Sequence, residues 1–134
     1  MVGNEATQII EELAHEMASI RDRQASPVLL YAEAAEKWAG GSIFFLAAGR
    51  IQFDPPSDRA FRLVEDLWEE APADKKWRGM TMFLEGDEFR VEFDYGEGWS
   101  PDEDEGDRRL PIVRSQFGDK PIYYPPLEGA EPWA

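Results

Sequence analysis

Apolar residues recur at helical spacing near the start of the chain, where Ile9, Ile10, Leu13, Met17 and Ile20 form one stripe and Glu11, Glu12, Glu16 and Arg21 fall elsewhere. This period predicts an amphipathic helix over residues 5–22 whose stripe covers a sheet. Pro27 pushes Ser26 away from helical geometry and closes that helix. Two apolar runs follow, "SPVLLYAEAAEKW" and "SIFFLAAGRIQF", separated by Ala39, Gly40 and Gly41. Each is short enough for a strand, and together they predict a hairpin. The alanines within 32–35 are poor strand formers and weaken the first strand.

Pro55 and Pro56 stop the second run, and Ser57 is placed to cap a helix that begins near Asp58. Phe61, Val64, Leu67 and Trp68 share one face of this helix, which ends near Pro72. Glu69 and Glu70 then sit unfavourably at the negative end of its dipole. Residues 77–95 give the clearest pattern, because Gly86 and Asp87 suit a two-residue turn that wants glycine first. The implied register pairs Glu85 with Glu88, Leu84 with Phe89, Met82 with Val91 and Met80 with Phe93, so this face belongs in the core. On the other face Phe83 opposes Arg90, Thr81 opposes Glu92 and Gly79 opposes Asp94, a side expected to meet solvent or a partner.

Beyond Tyr95 a loop of glycine, proline and acids runs to Gly106, and "DRRLPIVRSQFG" leaves room for a helical turn. Six prolines in the last 34 residues argue against a long helix or a central strand there, so the tail over about 119–134 is read as irregular. The expected fold class is α+β in a single domain, 1–134. A helix, a β-hairpin, a second helix and a second hairpin build one antiparallel sheet, followed by an irregular acidic loop and the proline-rich tail.

Composition supports a folded domain. The 134 residues are 43% hydrophobic and 13% aromatic, enough to bury a core without disulfides or metal. The absence of cysteine removes disulfides, thiolate zinc sites and a cysteine nucleophile from consideration. No apolar stretch is long enough to span a bilayer, and "MVGNEATQIIEEL" carries acids where a secretory signal has lysine or arginine, so a cytoplasmic location is expected. The net charge of −14 repels phosphate backbones and anionic lipid while attracting basic partners. Direct nucleic-acid or membrane binding is therefore disfavoured. His15, the single histidine, lies beside the first helix's stripe with no identifiable partner to orient it for catalysis.

Location of the charge is more informative than its sum. From Glu85 to Asp107 there are eleven acidic residues and one basic residue, Arg90. Asp102, Asp104 and Gly106 superficially match a calcium loop, but Gly106 takes a ligand position, Asp107 takes the glycine position and Val113 stands where a bidentate glutamate is needed. A hydrolase with paired carboxylates would use Glu92 and Asp94 on one strand face. An acid catalyst needs burial or a like-charged neighbour in a cleft, which a solvent-facing hairpin does not supply. A protein-binding surface uses the same residues without demanding chemistry of them. Carboxylates steer a basic partner, and Trp99, Tyr95 and Phe83 supply aromatic anchors.

The stretch "KKWRGMTMFLEGDEFRVEFDYGEG", with the acidic loop, the arginine-containing segment and "FGDKPIYY" after it, resembles the YezG-like family of bacterial immunity proteins. The positions that carry the resemblance are Trp77, Gly86, Phe89, Val91, Phe93 and Tyr95, then Gly118 and Pro121, and the preceding order of helix, hairpin and helix is also similar. The resemblance implies a small cytoplasmic antidote that binds the toxic domain of a secreted or contact-delivered effector, often a basic nuclease. The expected partner-binding residues are Glu92, Asp94, Glu97, Trp99, Asp102, Glu103, Asp104, Glu105 and Asp107, with no catalytic residue, metal ligand or cofactor. Two alternatives stay open: a carboxylate-based hydrolase, and an adaptor for basic peptides. Homo-oligomerisation is likewise open.

Overall fold

A computed structural model describes residues 2–20, 27–47, 49–86 and 88–124. In chain order the elements are α1 (Val2–Ile20), β1 (Val28–Ala35), β2 (Trp38–Ala47), β3 (Arg50–Asp54), α2 (Asp58–Glu70), β4 (Gly79–Glu85), β5 (Glu88–Asp94), α3 (Glu105–Phe117) and β6 (Ile122–Tyr123). The strands form one sheet in the order β5-β4-β1-β2-β3-β6, antiparallel throughout except for the parallel β3–β6 pair. The architecture is α+β. Position 87 and the 125–134 part of the expected irregular tail lie outside the described residues, as does the 21–22 end of the expected first helix.

Strand alternation divides the core between the two faces of the sheet. On one face Val28, Leu30, Ala32 and Ala34 of β1, Ile43 of β2 and Met80, Met82 and Leu84 of β4 pack against Leu13 and Met17 of α1 and Ala60, Leu63, Val64 and Leu67 of α2. On the other, Leu29, Phe44, Ile51 and Phe83 pack against Val113 and Phe117 of α3. Phe83 is therefore buried under a helix and is not free for a partner, while Thr81 on the same face is half-buried and borders a groove. The expected apolar face of the β4–β5 ribbon is also graded. Met80, Met82 and Leu84 are buried, Val91 and Phe93 are half-buried, and Phe89 near the hairpin tip is 40% exposed.

The observed β4–β5 register is the expected one, from Glu85↔Glu88 to Gly79↔Asp94, and Gly86 takes the positive φ of 62° that its turn position demands. The first hairpin differs. Its two-residue turn is Glu36–Lys37, between the paired Ala35 and Trp38, and Gly40 and Gly41 lie inside β2. Gly41 serves close approach, not a turn: a Cβ there would come within 3.2 Å of Pro56. The apolar run 42–53 is two strands, because Gly49 (φ 77°) turns the chain back between Ala47 and Arg50.

At α2 the Ser57 hydroxyl accepts a hydrogen bond from the Ala60 N–H, as the sequence suggests. The conflict at its other end is relieved by Lys76, whose ammonium donates to the Trp68 and Glu69 carbonyls and places a positive charge at the negative terminus. Helix α3 is a larger departure, since the whole of 105–117 is helical despite Pro111. An interior proline removes one helical hydrogen bond. A capping box at the start, two buried apolar residues one turn apart and a positive-φ Gly118 at the end together offset that loss. The acidic loop is correspondingly shorter than expected, and β6 replaces part of the irregular tail.

The gradient along the hairpin sets its energetics. Met82→Ala is expected to lower unfolding free energy by about 2–5 kcal/mol, whereas Phe89→Ala should change it by less than about 1 kcal/mol. Urea unfolding of the two variants would measure the difference, and equal losses would contradict the gradient.

Candidate functional site

The acidic segment lies on the α3 side of the sheet, and its floor is a buried ionic network. Glu33 of β1, 4% exposed, interrupts an otherwise apolar strand and points to this side with Tyr31, one alternation earlier. Arg108 of α3 meets it in a two-pronged contact, Nε to Oε2 and Nη2 to Oε1, each 2.7 Å. The Tyr31 hydroxyl donates to the same carboxylate at 2.5 Å, so one buried acid receives three donors. Burial first, and then the hydrogen bond and charge of Glu33, push the Tyr31 phenol far above its ordinary pKa. The bond to Glu33 raises Arg108 in turn, keeping it cationic.

Trp99 covers this network. Its indole N–H donates to Asp94 Oδ2 at 3.1 Å, and the guanidinium carbons of Arg108 and Arg78 lie 4.1 and 5.0 Å from its ring centroid. Gly79 makes this possible, because a Cβ there would stand 3.2 Å from the Trp99 ring and 3.4 Å from the Tyr31 hydroxyl. Asp94 also accepts from the Gly96 N–H through its other oxygen at 2.8 Å. A second link ties α3 to the sheet, where Arg109 donates to the Ser42 hydroxyl at 2.9 Å and to Glu105 at 3.0 Å. Burial raises the Glu105 pKa, partly offset by Arg109.

The expected site residues therefore divide by what they touch. Asp104 caps α3 by accepting from the Asp107 N–H at 2.8 Å, and Asp107 answers by accepting from the Asp104 N–H at 3.1 Å. Glu103 accepts from the Ser100 N–H at 2.7 Å. Glu92, Glu97 and Asp102 are exposed, and their carboxylates have no ion pair or hydrogen bond among the described residues. Glu92, Asp94 and Glu97 share a groove of about 360 Å³ with Tyr31, Tyr95 and Ile112. Asp104 and Asp107 line a separate groove of about 330 Å³ with Phe44, Arg109 and Tyr124.

Sequence reasoning missed Tyr31, Glu33, Arg78, Arg108 and Arg109. One signal was available: a carboxylate inside "VLLYAEAA" has to find a cation if both strand faces are covered. His15 is exposed on α1, and no cluster of three or more acidic or histidine side chains among the described residues is placed to hold a metal ion. No described helix is long and apolar enough to cross a membrane. No protein-family model matches the chain, and no curated protein sequence matches it.

Two outcomes test the network. Arg108→Met strands a buried carboxylate and should cost about 3–5 kcal/mol, most of it recovered in the Glu33→Leu/Arg108→Met double variant. Additive losses in chemical denaturation would show that the two residues are not coupled. The second outcome concerns pH. The folded pKa of Tyr31 lies above the unfolded value of about 10, so beyond that pH the unfolded chain loses a proton that the folded chain keeps. Stability should fall as pH rises above about 10, and Tyr31→Phe should flatten this decline. An unchanged alkaline slope in Tyr31→Phe would remove the assignment.

Proposed function

We propose that this chain is a bacterial immunity protein of the cytoplasm that binds and neutralises a cognate toxin domain, a basic nuclease delivered by secretion or contact. The observation that carries the reading is the division among the carboxylates. Glu33, Asp94, Asp104 and Asp107 are engaged within the chain, while Glu92, Glu97 and Asp102 are exposed without partners on the same side. Unpaired acids held on a stiff floor give a strong local field, which speeds encounter with a cationic surface by roughly 10 to 1000-fold while adding little affinity per exposed pair. A nuclease must present such a surface to grip phosphates. The resemblance of residues 75–98 to the YezG-like family supports the same reading.

Tyr95, 40% exposed beside the first groove, is the aromatic best placed to contribute buried contact area, since Phe83 is covered and Trp99 is held by Asp94 and two arginines. The hydrolase reading is less well supported. Glu92 and Asp94 lie exposed on the outermost strand, Asp94 is bound by two donors, and neither has the burial that a proton-donating carboxyl needs. An adaptor for basic peptides would use the same surface.

The test is co-expression with the C-terminal domain encoded by the adjoining gene, scored by relief of growth arrest and by co-purification. Glu92→Lys/Glu97→Lys/Asp102→Lys should keep the melting temperature within a few degrees and slow association by roughly tenfold or more at low salt. Unchanged association kinetics would sink the surface assignment, and an adjoining product that is neither toxic nor bound would sink the immunity reading.

A further inference from the structure

Strand β5 ends the sheet and, among the described residues, pairs only with β4. Its free side can be assigned from the ladder. In an antiparallel pair, successive residues direct their N–H and C=O groups alternately toward one neighbour and away from it. The Ala34 N–H donates to the Arg78 carbonyl, which with the β1–β4 register turns the backbones of Met80, Met82 and Leu84 toward β1. Gly79, Thr81, Phe83 and Glu85 then face β5, where Asp94, Glu92, Arg90 and Glu88 answer them. The backbone groups of Phe89, Val91 and Phe93 are left pointing outward along an open edge.

Natural sheets guard such edges with proline, a bulge or a charge on the inward face, since unpaired backbone is a template for another strand. Between Glu88 and Asp94 there is no proline, and the face directed to α1 and α2 is wholly apolar, with Phe89 40% exposed. The opposite face carries Glu88, Glu92 and Asp94 against the single cation Arg90. Charge decides what fits. A second copy paired antiparallel about Val91 would set Glu88 against Asp94 twice and Arg90 against Glu92 twice, so the local pairs cancel, and what opposes self-pairing is the net charge of −14 on each chain. An extended segment bearing lysine or arginine meets complementary charge there, and its backbone completes the three unpaired positions.

We propose that the outer edge of β5 takes an extended basic segment of the partner as an added strand. Its cationic side chains lie over Glu88, Glu92 and Asp94, and its apolar ones continue the Phe89, Val91 and Phe93 face. As a statement about a toxin, this rests on the immunity reading; as a statement about the edge, it can be tested without one.

The probe is an acetylated, amidated peptide of four lysine–valine repeats, added to the full chain at physiological salt and followed by amide hydrogen exchange. Pairing at the edge should slow exchange at Phe89, Val91 and Phe93 by about tenfold or more and leave Glu88, Arg90 and Glu92 unchanged. A peptide of the same charge with a central proline should not do this. Val91→Pro removes an outward-pointing donor without taking a hydrogen bond from the β4–β5 ladder, and should weaken binding about tenfold relative to Val91→Ala, which loses the same packing. Binding without the alternating protection, equal binding by these two variants, or self-association of the chain through β5 would each overturn the proposal. If Val91→Pro does not fold, the two peptides on the unaltered chain decide the matter. A toxin neutralised without edge pairing would leave the immunity reading standing alone, and edge pairing with no toxic neighbour would do the reverse.

Discussion

Burying a carboxylate in the middle of a sheet sets the terms for the rest of this fold. Glu33 sits on a central strand between β4 and β2, and a charge there without partners would be strongly destabilising. Arg108 answers it from 75 residues further along the chain, and Tyr31 supplies a third donor. That pairing fixes α3 in position along the sheet, because a two-pronged guanidinium contact tolerates little displacement. The apolar contacts of Val113 and Phe117 are less directional and follow that placement.

The same pairing organises the loop before α3. Arg108 also donates to the Glu103 carbonyl at 3.0 Å and lies over Trp99, so the helix, the loop and the end of β5 converge on one side chain. Gly79 and Gly96 are the local concessions that allow it. The first leaves space for an indole against the sheet. The second takes φ 86° where a Cβ would come within 2.8 Å of Arg78. An acidic loop that would otherwise be repelled from the sheet is held down by two arginines and one tryptophan.

What the sequence made legible was the periodic part. The α1 stripe from Ile9 to Met17, the Ser57 cap and the β4–β5 register all rest on nearest-neighbour rules, and each appears as those rules require. The misplaced first turn shows the limit: Gly40–Gly41 carries a stronger local turn signal than Glu36–Lys37, yet both glycines lie in β2, where Gly41 packs closely on Pro56, and Lys37 takes the positive φ of 62°. Helix α3 was hidden chiefly by Pro111, which argues against a long helix, although the Asp104–Asp107 cap and Gly118 that bound it are local, and part of its support, Val113 and Phe117 on the sheet, comes from distant strands. At the candidate site, the acids were visible as composition, and the Asp104–Asp107 cap is a local i,i+3 pattern that can be read from spacing, whereas the pairing of Glu33 with Arg108 spans 75 residues and leaves no local record.

The capping pair at the start of α3 has a consequence for how this surface can diverge. Asp104 and Asp107 are constrained by the helix they begin, and Glu33 by the arginine it meets, so substitutions at these positions are filtered by folding before any partner is involved. Glu92, Glu97 and Asp102 carry no such filter. Mutational drift can alter them freely, so one scaffold can persist while its outer charges are rewritten.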